Sequence, residues 1–153
     1  LEFEAVCQRL DEAATALYAA GAYSQAAARR YYLVYHIACF VAHQTGLQVT
    51  HRYDRRAVPS MDYRHEELPD IVLSLYTMTR TSWSAVTVVG GTAGIGGGLV
   101  TDRDIWTKVE KLKARRIAAD YLGGGKEPLT KDAADALIAD ANAIVQDLRG
   151  LLP

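Results

Sequence analysis

Arg29, His36 and His43 recur at seven-residue spacing in and just beyond a stretch, Arg29-Arg30-Tyr31-Tyr32-Leu33-Val34-Tyr35-His36-Ile37-Ala38-Cys39, that is otherwise aromatic and apolar. On an α-helix seven steps return to within about 20° of the start, so these three polar residues share one stripe. Arg29 is co-facial with His36, whereas Arg30 lies about 120° away from it. A histidine exchanges protons near neutral pH, and an arginine meets negative charge with two parallel donors. Together they could serve acid–base chemistry on an anionic group. The plainer alternative is a satisfied polar core, because buried polar groups must find hydrogen-bond partners.

A second constellation lies near the C-terminal third. With Ile105 as reference, Val109, Leu112, Arg116 and Ala119 all fall within about 40° of it on a helical wheel. Arg116 therefore sits inside an apolar stripe, where an unpaired charge would be expensive. Asp120, four residues on, is within pairing reach, and Tyr121 follows it. If the two helices face one another, Arg29, His36, Arg116 and Tyr121 form a candidate catalytic set, with Tyr32 and Asp120 as ligand-binding neighbours. The same residues could equally make a structural knot of Tyr32, His36, Arg116 and Asp120.

Two further stretches carry chemistry-bearing residues. Arg52, Arg55, Arg56 and Arg64 crowd around Pro59 with a spacing that fits neither helix nor strand. Arg55 and Arg56 are candidate phosphate contacts in that irregular connection; a solvated basic face is the alternative. The run Gly90-x-x-x-Gly94-x-Gly96 resembles the dinucleotide-binding turn of short-chain dehydrogenases. That turn needs a strand before it and a helix whose N-terminus meets the pyrophosphate, and here no helical pattern follows and no room exists for repeated βαβ units. Residues 84–101 are accordingly expected to be an irregular glycine-rich insertion.

The elements that must position these residues are helical. Phe3, Val6, Leu10, Ala13, Ala14 and Leu17 mark a first amphipathic helix over about 2–20, ended by Gly21. Ser24 reads as the N-cap of a second over about 25–44, closed by Thr45-Gly46. A third is expected from about residue 65 or 69 to 80, a fourth over about 104–122, and a fifth after an N-cap at Thr130. The expected fold is all-α, an antiparallel bundle of four to five helices with the glycine-rich insertion between helices three and four.

Composition narrows the function. The 153 residues are 50% hydrophobic with a formal net charge of −1, which suits one domain, residues 1–153, and supplies no strongly basic field for nucleic acid. Cys7 and Cys39 fall on apolar faces and read as buried thiols of a reducing compartment. No zinc-type spacing, no apolar run of about 18 residues and no signal-peptide pattern occur. The expectation is a cytoplasmic protein with no membrane span, no metal and no cofactor.

The order of these features resembles the HEPN superfamily, the higher eukaryote and prokaryote nucleotide-binding domains, in its prokaryotic toxin-like branch. The turn Ala19-Ala20-Gly21-Ala22-Tyr23 leading into Ala27-Ala28-Arg29-Arg30-Tyr31-Tyr32-Leu33-Val34-Tyr35-His36 is similar to that family's first hairpin. His65-Glu66-Glu67-Leu68 resembles the histidine that opens its third helix, and Arg116-Ile117-Ala118-Ala119-Asp120-Tyr121 its Arg-x-x-x-Asp-Tyr helix. The resemblance implies a homodimeric helical domain acting on RNA or nucleotides, in many members a toxin neutralised by a nucleotidyltransferase-type antitoxin. Active members are metal-independent endoribonucleases with an Arg-x(4–6)-His motif on the helix corresponding to helix four. Helix four here has no histidine, and the Arg-x(4–6)-His runs are Arg29 and Arg30 to His36 on helix two. Two expectations follow: a metal-independent ribonuclease using Arg29, His36, Arg116 and Tyr121, or a non-catalytic module binding a nucleotide, RNA or a protein.

Overall fold

The computed structural model describes residues 2–47, 49–50, 57–58, 64–83, 102–121 and 129–152. The expected glycine-rich insertion, the residues that follow helix four, and Arg52, Arg55 and Arg56 lie outside the described residues. The fold is all-α: α1 (Glu2–Ala19), α2 (Tyr23–Thr45), α3 (Leu68–Trp83), α4 (Asp102–Tyr121) and α5 (Lys131–Arg149). Two short strands, β1 (Val49–Thr50) and β2 (Ala57–Val58), pair antiparallel in the connection after α2, with Val49 opposite Val58. A wholly irregular connection was expected there; three of these four residues are β-branched, a type that favours extended backbone.

α2 is the axis of the molecule. It packs against α1, α3, α4 and α5, and Ala26, Ala27, Ala28, Tyr31, Val34, Ile37, Ala38, Val41 and Ala42 are fully buried along it. The alanine triplet lets neighbouring backbones approach closely, while the branched residues fill the middle of the core. One apolar cluster draws on all five helices, from Cys7 of α1 through Leu75 of α3 and Leu112 of α4 to Ile144 and Leu148 of α5. Because α2 is covered on most sides, it lacks the single apolar face of a surface helix.

The junctions follow local chemistry. Gly21, at φ 76°, takes the left-handed conformation that ends α1 and turns the chain into α2. The two helices run antiparallel: Phe3 stacks on Phe40 with ring centroids 3.9 Å apart, and Tyr18 meets Tyr23 edge-on near the turn. Gly46, at φ 71°, ends α2 in the same way, donating back to the carbonyls of Ala42 and His43. Thr130 caps α5 by accepting from the Ala133 N–H at 3.2 Å. Tyr76 of α3 donates to Asp147 of α5 at 2.5 Å, tying the far side of the core together.

Two boundaries differ from the sequence reading. α3 continues to Trp83, and its start is a 3₁₀ turn, His65–Glu67, in which the buried Glu67 carboxylate accepts the Arg64 N–H at 2.7 Å. Ser24 is not the cap of α2. The helix begins at Tyr23 after Ala22, with no side-chain cap, and the Ser24 hydroxyl is buried with no hydrogen-bond partner among the described residues. The tight turn at Gly21 starts the helix early, leaving Ser24 no free N–H to accept from.

This contrast makes a paired prediction. Thr130→Ala should lower stability by about 1 kcal/mol through loss of its cap. Ser24→Ala should be neutral or stabilising, because it removes an unsatisfied buried hydroxyl and raises helix propensity. Chemical denaturation of both variants checks this; a Ser24→Ala loss matching that of Thr130→Ala would contradict it.

Candidate functional site

The inward stripe of α4 is buried as its periodicity requires: Ile105, Val109, Leu112 and Ala119 are core residues, and Arg116 among them is only 8% exposed. Packing of α4 on α2 brings that arginine onto the tyrosine run. Arg116 Nε donates to the Tyr32 hydroxyl oxygen at 3.1 Å, and the Tyr32 hydroxyl donates onward to Asp120 Oδ2 at 2.5 Å. Arg116 Nε also lies 3.5 Å from Asp120 Oδ2, and Nη2 donates to the Tyr121 hydroxyl at 3.4 Å. The guanidinium carbon sits 5.9, 5.5 and 5.3 Å from the ring centroids of Tyr31, Tyr32 and Tyr121. A buried cation is thus met by a carboxylate, two hydroxyls and three aromatic faces, which supply both hydrogen bonds and quadrupolar attraction. Burial, and then the Asp120 carboxylate, push the Tyr32 phenol above its ordinary pKa, so it stays a donor at neutral pH.

His65, from the 3₁₀ turn ahead of α3, joins this group. Its Nδ1 lies 2.9 Å from the hydroxyl of the fully buried Tyr31, and its ring stacks on Tyr35 at 4.3 Å. The Tyr32 ring approaches it edge-on at 5.9 Å. Burial lowers the His65 pKa below 6.5, helped by the positive charge of Arg116 and the proximity of His36 and Lys113. The ring is therefore neutral at pH 7.

Of the residues singled out in the sequence, the structure brings together Tyr32, Arg116, Asp120 and Tyr121. Arg29 joins at the edge, its guanidinium 5.7 Å from the Tyr32 ring. His36 does not enter the hydrogen-bonded cluster. It is exposed, touches the ring of Tyr35 at 5.6 Å, and makes no hydrogen bond to Arg29 or Arg116. The knot expected of Tyr32, His36, Arg116 and Asp120 thus has His65 beside it in place of His36. The reason is geometric: the stripe of Arg29 and His36 lies at the margin of the α2–α4 contact, while His65 comes in from a third element. His43 is exposed on the last turns of α2. The sequence signal for His65 was the resemblance of His65-Glu66-Glu67-Leu68 to the histidine that opens the family's third helix, and helical spacing along α2 could not supply its contacts.

Electrostatically the Arg116–Asp120 pair is close to neutral by itself. Further positive charge comes from Arg29 and from Lys113, the latter with Glu110 as its described carboxylate partner at 3.9 Å. Beside Arg116, Tyr121 is 69% exposed, the most exposed large side chain of apolar character among the described residues. A cation-backed aromatic face open to solvent can stack a planar base while nearby donors hold an anionic group. Among the described residues no group of three or more histidine, cysteine, aspartate or glutamate side chains could hold a metal ion, and no helix is long and apolar enough to cross a membrane. Cys7 and Cys39 are free thiols.

The depressed His65 pKa fixes the sign of a pH dependence. Protonation favours the unfolded chain, so the stability held by the neutral ring is complete above pH 6.5 and is lost as pH falls through the lower folded value. Melting temperature should decline as pH falls below about 6.5, the ordinary histidine value, and His65→Gln, which cannot titrate, should flatten the decline. An unchanged slope in that variant would contradict the placement of His65. Compared with protein-family models, with curated proteins and with solved structures, the chain matches none.

Proposed function

We propose that this chain is a HEPN-like domain acting on RNA or nucleotides, and that the face formed by Arg29, Tyr32, Arg116, Asp120 and Tyr121 is its binding site. The observation that carries this reading is the exposed Tyr121 ring resting against the buried guanidinium of Arg116, with Arg29 on the neighbouring Tyr32 ring. Base stacking on Tyr121 supplies affinity without sequence preference, and Arg29 and Lys113 answer the phosphate charge that the neutralised Arg116–Asp120 pair does not. The ordered Tyr32 hydroxyl fixes Arg116 so that its remaining donors are already oriented. A homodimer, and a role as the toxin-like partner of a nucleotidyltransferase-type antitoxin or as a defence module, belong to the same reading and rest on the sequence resemblance.

Two modes of action divide the reading. In the first the domain is a metal-independent endoribonuclease: a histidine takes the proton of a ribose 2′-OH, and Arg29 and Arg116 stabilise the charge on phosphorus, with Tyr121 as donor. In the second it binds without cleaving. His36 contacts Tyr35 and makes no hydrogen bond to Arg116, which favours the second mode, because proton transfer and charge stabilisation must act on one phosphate.

Thermal melting with short RNAs and nucleotides, and cleavage of RNA in the presence of a chelator, test both. Ligand at 100 times its Kd should stabilise the fold by about 2.7 kcal/mol. Tyr121→Ala should weaken binding by about 1–3 kcal/mol for the lost stack. Failure of every RNA and nucleotide to raise the melting temperature would overturn the reading. Chelator-resistant cleavage abolished by Arg29→Ala and His36→Ala would instead establish the ribonuclease mode over the binding one.

A further inference from the structure

Tyr31 and His65 form a unit that the candidate set above does not include. Tyr31 is fully buried, and burial holds its proton on the phenol far above neutral pH. Its hydroxyl lies 2.9 Å from His65 Nδ1, the hydrogen-bond partner it has among the described residues. A buried phenol that keeps its proton donates it to an acceptor in range. Neutral imidazole has one accepting and one donating nitrogen, so a ring that accepts at Nδ1 carries its proton on Nε2. Tyr35, stacked on the ring at 4.3 Å and 29°, fixes the plane in which that N–H points. The two nitrogens diverge across the ring, so Nε2 faces away from Tyr31, and His65 as a whole is only half-buried.

The groups around this ring favour an anion. From α4, Arg116 and Lys113 bear on it with positive charge and Asp120 with negative; from α2, His36 adds a further protonatable ring. Glu67 of the same turn is near Tyr35 and occupied with the Arg64 N–H. We propose that His65 is an anion-recognising residue whose Nε2–H donates to a phosphoryl oxygen of the nucleotide or RNA, with Tyr31 as the positioning residue that sets its tautomer. The proposal rests on the function proposed above and sharpens it by naming the phosphoryl group as what is recognised beside Arg116. It also gives His65 a role distinct from general base: in this tautomer the nitrogen facing away from Tyr31 donates and cannot accept.

Imidazole-nitrogen NMR of isotope-labelled full chain near neutral pH, alone and with inorganic phosphate or adenosine 5′-monophosphate, tests it. The expected result is a neutral His65 with its proton on Nε2, a shift of its resonances with both ligands, and mixed tautomers in Tyr31→Phe. His65→Gln keeps an N–H donor near the Nε2 position and should bind adenosine 5′-monophosphate within about threefold of the original protein, whereas His65→Leu should lose about tenfold or more. A proton on Nδ1 in the unaltered protein overturns the proposal, as does equal loss in the Gln and Leu variants. Movement with the nucleotide but not with phosphate assigns the response to the base and overturns it too. If the nucleotide raises the melting temperature while His65 resonances stay still, only the role of His65 fails and the Tyr121 face stands. If phosphate, nucleotide and RNA all leave the melting temperature unchanged, the binding function fails with it.

Discussion

A charged guanidinium placed inside an apolar helix stripe has to be answered, and the way Arg116 is answered organises one whole side of this molecule. Asp120 supplies the countercharge from the same helix, one turn on. Tyr32 supplies the hydroxyl that links cation and carboxylate across the α2–α4 contact. Removing Asp120 or Tyr32 leaves the buried Arg116 guanidinium short of a partner, which costs more than the bond itself contributes. The pair is therefore less a source of stability than a constraint. α2 and α4 can pack only in the register that lets the Tyr32 hydroxyl reach both groups, and that register also brings Tyr121 and Arg29 to the same patch of surface.

The central position of α2 makes such a constraint effective. A helix buried on most sides cannot rotate to relieve a poor polar contact without disturbing four neighbours at once. The alanines of its first half are fully buried, and its tyrosine run meets α4 and the 3₁₀ turn. Tyr31 and Tyr32 are adjacent in sequence yet serve different partners: one hydroxyl is directed to His65 and the other to the arginine–aspartate pair. Two polar networks thus diverge from one point on the axis, and their far ends, His65 and Tyr121, flank Arg116. Rigid support behind a half-open surface is what a pre-organised binding site requires.

Much of this was legible in the chain itself. The wheel of Ile105, Val109, Leu112 and Ala119 puts Arg116 in the core and Asp120 within reach, since both statements depend only on helical period. Gly21, Gly46 and Thr130 end or begin helices for local reasons that sequence carries in full. Helical period also placed His36 beside Arg29, but a shared stripe says nothing about which neighbour covers it, and the margin of the α2–α4 contact leaves His36 exposed. His65 was singled out by the family resemblance alone, and its contacts were out of reach for the opposite reason. Its partners Tyr31 and Tyr35 are some thirty residues earlier, and only tertiary packing brings the turn before α3 against them. Ser24 misled because serine before an apolar run is a capping signal only when the preceding turn leaves the helix end free, and the turn at Gly21 does not.

The function proposed here predicts one place for a nucleotide: phosphate between His65, Arg116 and Lys113, base on the exposed Tyr121. A crystal structure of the protein with adenosine 5′-monophosphate tests that arrangement most directly. Phosphate oxygens within hydrogen-bond distance of His65 Nε2 and Arg116, with the adenine stacked on Tyr121, is the result expected. A nucleotide bound at a different face, with the Tyr32–Arg116–Asp120 cluster unvisited, would show that the cluster is a structural knot alone.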